Sequence, residues 1–180
     1  MIAIDERAKR PSIRIEISSR LPLDADSLWA RVATPEGVNT ELMPLVRMTF
    51  PKGVAFLELR PDQLRRPLLV SWLLAFGFVP FDRHVLTFDR VGQRSFFERS
   101  HSILQRKWDH DRAVVPDGGH SILSDRVEVI PRIWLFSMPT RWLVRRIFEH
   151  RHARLRSLYG DSQTPGDRKS DAHNGQTSGH

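Results

Sequence analysis

The stretch Met138 to Tyr159, MPTRWLVRRIFEHRHARLRSLY, constrains the fold more than any other part of the chain. Val144, Ile147, Phe148, Leu155, Leu158 and Tyr159 recur at intervals of three and four, the spacing that lays one apolar stripe along a helix. Pro139 falls in the first turn, where a missing N–H is tolerated, and Gly160 stands where a left-handed C-terminal cap is favoured. The spacing predicts one helix of about 20 residues, roughly 30 Å long. Such a helix must bury its stripe on something, and what precedes it reads as strands.

From Ser12 the sequence alternates, with Ile13, Ile15 and Ile17 on one side and Arg14, Glu16 and Ser18 on the other, as in a half-buried strand. The period then changes. Asp24 or Asp26 caps a short helix carrying Leu28, Trp29 and Val32, and Thr34-Pro35-Glu36-Gly37 starts a second short helix that ends by Pro44. Between Val46 and Leu64, Pro51, Gly53 and Pro61 break any long element, leaving weak strand signals at Met48 to Phe50 and Val54 to Leu59.

The longest uncharged run, Pro67 to Phe81, has 15 residues, too few for a spanning helix of about 20. It reads as a buried strand or helix of the core. An interfacial membrane segment is the alternative, because Arg65, Arg66 and Arg83 flank it. His84, Leu86 and Phe88 then share a face, Val91 to Arg94 turns, and Ser95 to Ser102 runs back. A strand from Trp108 to Val115 turns at Pro116 to Gly119 into another from His120 to Ile130, so an antiparallel sheet is expected. Residues 1–11 read as a loose leader and 12–160 as a single domain. The stretch 161–180, with one alanine and no larger apolar residue, reads as a disordered tail.

The last hairpin carries unusual cargo. Trp108, His110, Arg112 and Val114 share a face that must point inward, because Lys107, Asp109, Asp111 and Ala113 offer almost nothing to bury. On the return strand Leu123, Val127 and Val129 mark the inner face, and parity puts Asp125 among them. A two-residue loop at Asp117-Gly118 and a four-residue loop at Pro116 to Gly119 give one register. In it Val115 opposes His120, Arg112 opposes Leu123, and His110 opposes Asp125, with Cβ atoms about 5 Å apart. A three-residue loop would break this pairing unless a bulge restored the parity. Inward charge is costly unless paired. The cluster is therefore either a structural network pinning the sheet or a polar patch at the base of a pocket.

Glu98 depends on the preceding turn. A three-residue loop at Gly92 to Arg94 points Phe96, Glu98 and Ser100 inward, whereas a two- or four-residue loop points Phe97 and Arg99 inward; Glu98 is expected inside. On the last helix Arg151 follows Ile147 by four and His152 follows Phe148 by four, which places both on the covering face or its edge.

Strand, two short helices, antiparallel strands and one long C-terminal helix, together with Leu28-Trp29-Ala30-Arg31-Val32-Ala33-Thr34-Pro35-Glu36-Gly37, Phe96-Phe97-Glu98, Trp108-Asp109-His110-Asp111-Arg112, Asp125 and Ile147-Phe148-Glu149-His150-Arg151-His152, resemble the START/birch-pollen-allergen-like superfamily known as SRPBCC. The similarity is closest to its bacterial ligand-binding and polyketide-cyclase-like members and covers Ser12 to Gly160. The resemblance implies an α+β helix-grip fold: a curved antiparallel sheet, two short helices after the first strand, and a long C-terminal helix packed on the sheet. It also implies an apolar cavity between sheet and helix, which in relatives holds steroids, lipids, polyketides or hormones. Two features depart from the pattern. Ile103-Leu104-Gln105-Arg106 lacks the Gly-Pro turn common before the Trp-x-His strand. The run before Pro80 is so apolar that Trp72, Leu74, Phe76 and Phe78 are expected to fill much of the cavity.

The leading expectation is a binder of a hydrophobic small molecule. Trp72, Phe76, Trp108, Val127, Phe148 and Leu155 would line the pocket, Glu98, His110, Arg112 and Asp125 would orient a polar end, and Arg151 is a further ligand-binding candidate from the last helix. An enzymatic alternative uses the His110/Asp125 pair as general acid and base in cyclising or dehydrating a polyketide; no residue is assigned as catalytic. A third reading is peripheral membrane or protein-partner binding through an Arg-rich outer face of the last helix, formed by Arg141, Arg145, Arg154 and Arg156.

Composition narrows the field. The net charge of +7 comes from 24 Arg against 4 Lys spread along the chain, with no basic arm, so a nucleic-acid partner is not expected. Cysteine is absent, which excludes disulfides and thiolate chemistry and fits a reducing compartment. The charged N-terminus lacks a signal-peptide core, so a cytoplasmic protein is expected. His150 and His152 project about 200° apart on a helix, and HExxH, GxSxG, Walker and GxGxxG motifs are missing, so no metal or cofactor is expected.

Overall fold

The computed structural model describes residues 12–53, 59 and 61–160. The expected leader, the expected tail and residues 54–58 of a weak strand signal lie outside them. In chain order the elements are β1 (Ile13–Leu21), α1 (Ala25–Val32), α2 (Pro35–Leu42), β2 (Val46–Met48), β3 (Leu69–Ala75), β4 (Val79–Leu86), β5 (Phe88–Gly92), β6 (Ser95–Ser102), β7 (Gln105–Asp117), β8 (His120–Pro131) and α3 (Ser137–Tyr159). The described strands form one 8-stranded antiparallel sheet, ordered β1-β8-β7-β6-β4-β3-β2 with β5 against β6. The sheet curls, and α3 lies on β1 and against α2. This is the expected helix-grip arrangement.

Local chemistry explains the first turns of the two short helices. Asp24, rather than Asp26, caps α1 by accepting from the Ser27 N–H at 2.8 Å. Thr34 caps α2 by accepting from the Gly37 N–H at 3.0 Å, and Pro35 takes the first helical position. Gly37 is required by packing: a Cβ there would fall on the Arg31 carbonyl oxygen at the end of α1. The glycine lets the backbones of the two helices meet at the turn between them.

The β7–β8 hairpin corrects the expected register by two residues. Asp117 pairs with His120, so the loop is Gly118-Gly119, both with positive φ (55° and 82°). Two consecutive glycines adopt this mirror-image turn without a Cβ penalty, and its twist suits a hairpin. Arg112 therefore opposes Asp125, and His110 opposes Val127. A shift of two preserves facing, so Trp108, His110, Arg112 and Val114 still point toward α3.

Glu98 points inward by a different route from the three-residue loop expected. Gly92 pairs with Ser95 across a two-residue loop, which alone would turn Phe97 and Arg99 inward. A bulge between Phe88 and Arg90 shifts the pairing and restores Phe96, Glu98 and Ser100 to the inner face. Phe97 lies on the outer face under the guanidiniums of Arg90 and Arg99, at 5.0 and 5.4 Å.

The run Pro67 to Phe81 forms β3, a turn at Phe76-Gly77 and the start of β4, and much of it is exposed. In β3, Leu69 and Ser71 face in, so period-two alternation turns Trp72 outward, 45% exposed and opposite Arg83. Phe76 occupies the turn with φ 52° and is 66% exposed; Phe78 beyond it is also exposed. Trp72, Phe76 and Phe78, expected with Leu74 to fill the cavity, are therefore outside it, and Leu74 is half-buried without lining the hollow.

On α3 the buried face consists of Thr140, Val144, Phe148, Arg151, His152 and Leu155. Leu158, expected on the stripe, is 43% exposed. The apolar core is divided. One cluster joins Leu21, Leu28, Trp29, Val114, Leu123 and Leu155 at the α1 end. A second joins Ile13, Val127, Val129, Val144 and Phe148, and a third joins Leu69, Leu86 and Phe88.

Candidate functional site

Buried charge lies among these clusters. Arg112, fully buried on β7, uses both edges of its guanidinium. Its Nε and Nη2 donate to the two oxygens of Asp125, each at 2.8 Å. Its Nη1 and Nη2 donate to the two oxygens of Glu41 on α2, at 2.9 and 2.8 Å. Paired planar bonds of this kind are the strongest ion-pair geometry a side chain can make. Glu41 also accepts from Arg151 Nε at 2.9 Å, so one carboxylate ties α2 to the sheet and to α3.

Asp125 holds two further partners. His110 Nε2 lies 2.6 Å from its Oδ1 and His152 Nε2 2.9 Å from its Oδ2. Arg156 Nη1 donates to Ser19 Oγ at 2.7 Å, and that hydroxyl is 2.9 Å from His152 Nδ1. The hydroxyl hydrogen thus goes to Nδ1, and Nε2–H donates to Asp125. On the other side of His110, Nδ1 lies 3.6 Å from Glu98 Oε2, and Glu98 Oε1 meets His84 Nε2 at 2.7 Å. A continuous line of ionisable groups therefore runs from His84 to α2 and α3.

The electrostatics follow from this order. Burial alone would lower the His110 imidazole, but Asp125 and Glu98 on either side outweigh it and raise its pKa. Burial would likewise raise Glu98, yet His110 and His84 hold it down at about 2. Asp125 lies well below the usual carboxylate range, because Arg112, His110 and His152 overcome its burial. Three carboxylates face two guanidiniums within this group, and the excess negative charge around His110 is what raises its pKa.

The network forms one wall of a partly open hollow of about 120 Å³ between α3 and the sheet. Val32, Val38 and Leu42 close it from the short helices, Phe88, Phe96 and Trp108 from the sheet, and Leu143, Val144, Ile147 and Phe148 from α3. Asp82, His84, Glu98, Gln105, His110, Arg112 and Arg151 give it polar character. Gln105 Oε1 is buried and has no hydrogen-bond partner. Phe148 stacks edge-on against His110 at 5.2 Å and lies under Arg151 at 5.1 Å, joining the apolar and charged parts.

Of the residues expected at a site, Glu98, Trp108, His110, Arg112, Phe148 and Arg151 line the hollow. Asp125, Val127 and Leu155 are buried behind its wall. Trp72 and Phe76 lie outside it, for the reasons of parity and turn position given above. Sequence reasoning missed Glu41, His84 and Gln105. The alternation that placed His84 with Leu86 and Phe88 was a usable signal. Glu41 offered none, because its burial depends on how α2 meets α3.

Among the described residues no group of His, Cys, Asp and Glu is arranged to hold a metal ion. No described helix is long and apolar enough to cross a membrane.

Solved structures with this architecture share little sequence with the chain. A START superfamily protein from Mycobacterium smegmatis aligns at TM-score 0.58 and 12% identity, over 81% of this chain and 96% of that one. The Zhui aromatase/cyclase from a Streptomyces species aligns at 0.53 and 11%, over 82% and 96%. Ara h 8.0201 aligns at 0.52 and 12%, over 82% and 99%. These likenesses establish an SRPBCC-type fold. A sequence search of curated proteins finds no match. The family model described as Domain of unknown function (DUF8410) matches residues 19–159, and the chain belongs to that family.

Proposed function

We propose that the chain binds a small apolar molecule carrying one hydrogen-bonding group, held in the hollow between α3 and the sheet. The observation that carries this reading is the lining itself, apolar on the α3 and short-helix sides and interrupted by one group of buried polar side chains. Trp108, Ile147 and Phe148 would contact the apolar body. The buried, unpartnered Gln105 Oε1 would accept a hydrogen bond from the polar group. Arg112 and Asp125 would hold the wall in place rather than touch the ligand.

The acid–base alternative has less support. Both ring nitrogens of His110 face carboxylates, which leaves neither free to exchange a proton with a substrate. The likeness to an aromatase/cyclase is one of fold, at 11% identity.

Indole, a small apolar ring with one N–H to donate to Gln105 Oε1, suits a hollow of about 120 Å³ and provides the test by isothermal titration calorimetry. Wild-type protein is expected to bind it with a Kd of about 1 mM or tighter. Ile147→Trp, which fills the hollow, should weaken binding about tenfold or more while thermal unfolding stays close to wild type. Absence of indole binding by the wild type, or unchanged binding by a folded Ile147→Trp variant, would overturn the proposal. Native mass spectrometry of protein from its own host would then identify a resident molecule.

A further inference from the structure

The entry to α3 presents apolar side chains that none of the described residues covers. Ile133, Trp134, Leu135, Phe136, Met138 and Trp142 are all exposed, with Trp134 at 75%, Met138 at 76% and Trp142 at 68%. Scattered exposed apolar residues are ordinary, but a contiguous group this large marks an interaction surface. Its charge is one-sided. From Arg132 to Phe148 the chain has four arginines and no acidic residue. Arg141, Arg145 and Arg146 are exposed on α3 beside Met138 and Trp142.

We propose that this surface docks on a lipid bilayer with anionic headgroups. Two tryptophans rimmed by arginines suit the interface, where indole sits at headgroup level and the guanidinium stays with the phosphates. A second copy of the chain fits less well, because a symmetric contact would bring these arginines against themselves with little acidic charge to meet them. The half-buried Glu149 already pairs with Arg145 within α3. No described helix can span a membrane, so the contact lies in the plane of the interface.

The surface is continuous with the mouth of the hollow. Leu104 and Leu143 are partly exposed and also line the hollow, and the Arg132 N–H donates to the Leu104 carbonyl at 3.0 Å. The docked face would therefore open toward lipid. Docking through this surface does not depend on what occupies the hollow.

Cosedimentation of the full chain with vesicles provides the test. The protein is expected to pellet with phosphatidylcholine vesicles containing phosphatidylglycerol, to be released by high salt, and to bind pure phosphatidylcholine weakly. Trp134→Ser/Trp142→Ser and Arg141→Glu/Arg145→Glu change exposed positions, and each should lower binding about tenfold with thermal unfolding unchanged. No binding to anionic vesicles, or wild-type binding by both folded variants, would overturn the proposal. So would a dimer in sedimentation equilibrium that Trp134→Ser/Trp142→Ser makes monomeric, with no vesicle binding by the wild type.

Discussion

Arg112 is completely buried and pairs with two carboxylates on different elements, so its loss leaves Glu41 and Asp125 with much of their charge unbalanced. Arg112→Met, which keeps volume but removes the charge, should destabilise the fold by about 3–5 kcal/mol, measured by urea unfolding. Loss under about 1 kcal/mol would mean that the remaining partners, Arg151 with Glu41 and the histidines with Asp125, compensate fully. The same cluster predicts a stability maximum in mildly acidic solution. Glu98 is depressed from 4.5 to about 2 in the fold, so its contribution, roughly 3 kcal/mol, is present above pH 4.5 and lost as pH falls toward 2. His110 is raised above 6.5, so its contribution is present below that value and lost as pH rises through the raised pKa. Unfolding free energy measured across pH should fall on both sides, and His110→Gln should flatten the alkaline side.

At the scale of elements, contacts between backbones decide more than propensity does. Gly37 sits in the first turn of α2, where alanine would normally be the better helix former by about 1 kcal/mol. Here Gly37→Ala should instead destabilise by about 2 kcal/mol or more, because the new methyl would collide with the Arg31 carbonyl. Thermal unfolding checks the sign, and a stabilised variant would show that α1 and α2 can separate freely. The hairpins show where element-level reading succeeds. Facing in β7 and β8 was legible from alternation, since any even shift preserves it. The register was not, because Asp117-Gly118 and Gly118-Gly119 are both acceptable turns. Glu98 was read on the correct face through the wrong loop, the bulge in β5 having supplied the missing residue of parity.

For the molecule as a whole, sequence and tertiary structure divide the result cleanly. The amphipathic period of α3, the capped short helices and the alternating strands specify the helix-grip order, because each signal is local and repeats over a whole element. Local pattern also placed His110, Arg112 and Asp125 on the inner face. Partner choice was decided only when distant segments met. Glu41 reaches Arg112 across 71 positions and Arg151 across 110, separations at which no spacing rule operates. Trp72 and Phe76 lie outside the hollow because the packed sheet chose which face of β3 turns inward and where the chain turns back, and Trp134 and Trp142 lie on a face that no other described residue covers. Hydrophobicity says that a side chain gains from burial, but only the packed backbone determines whether there is anything to bury it against.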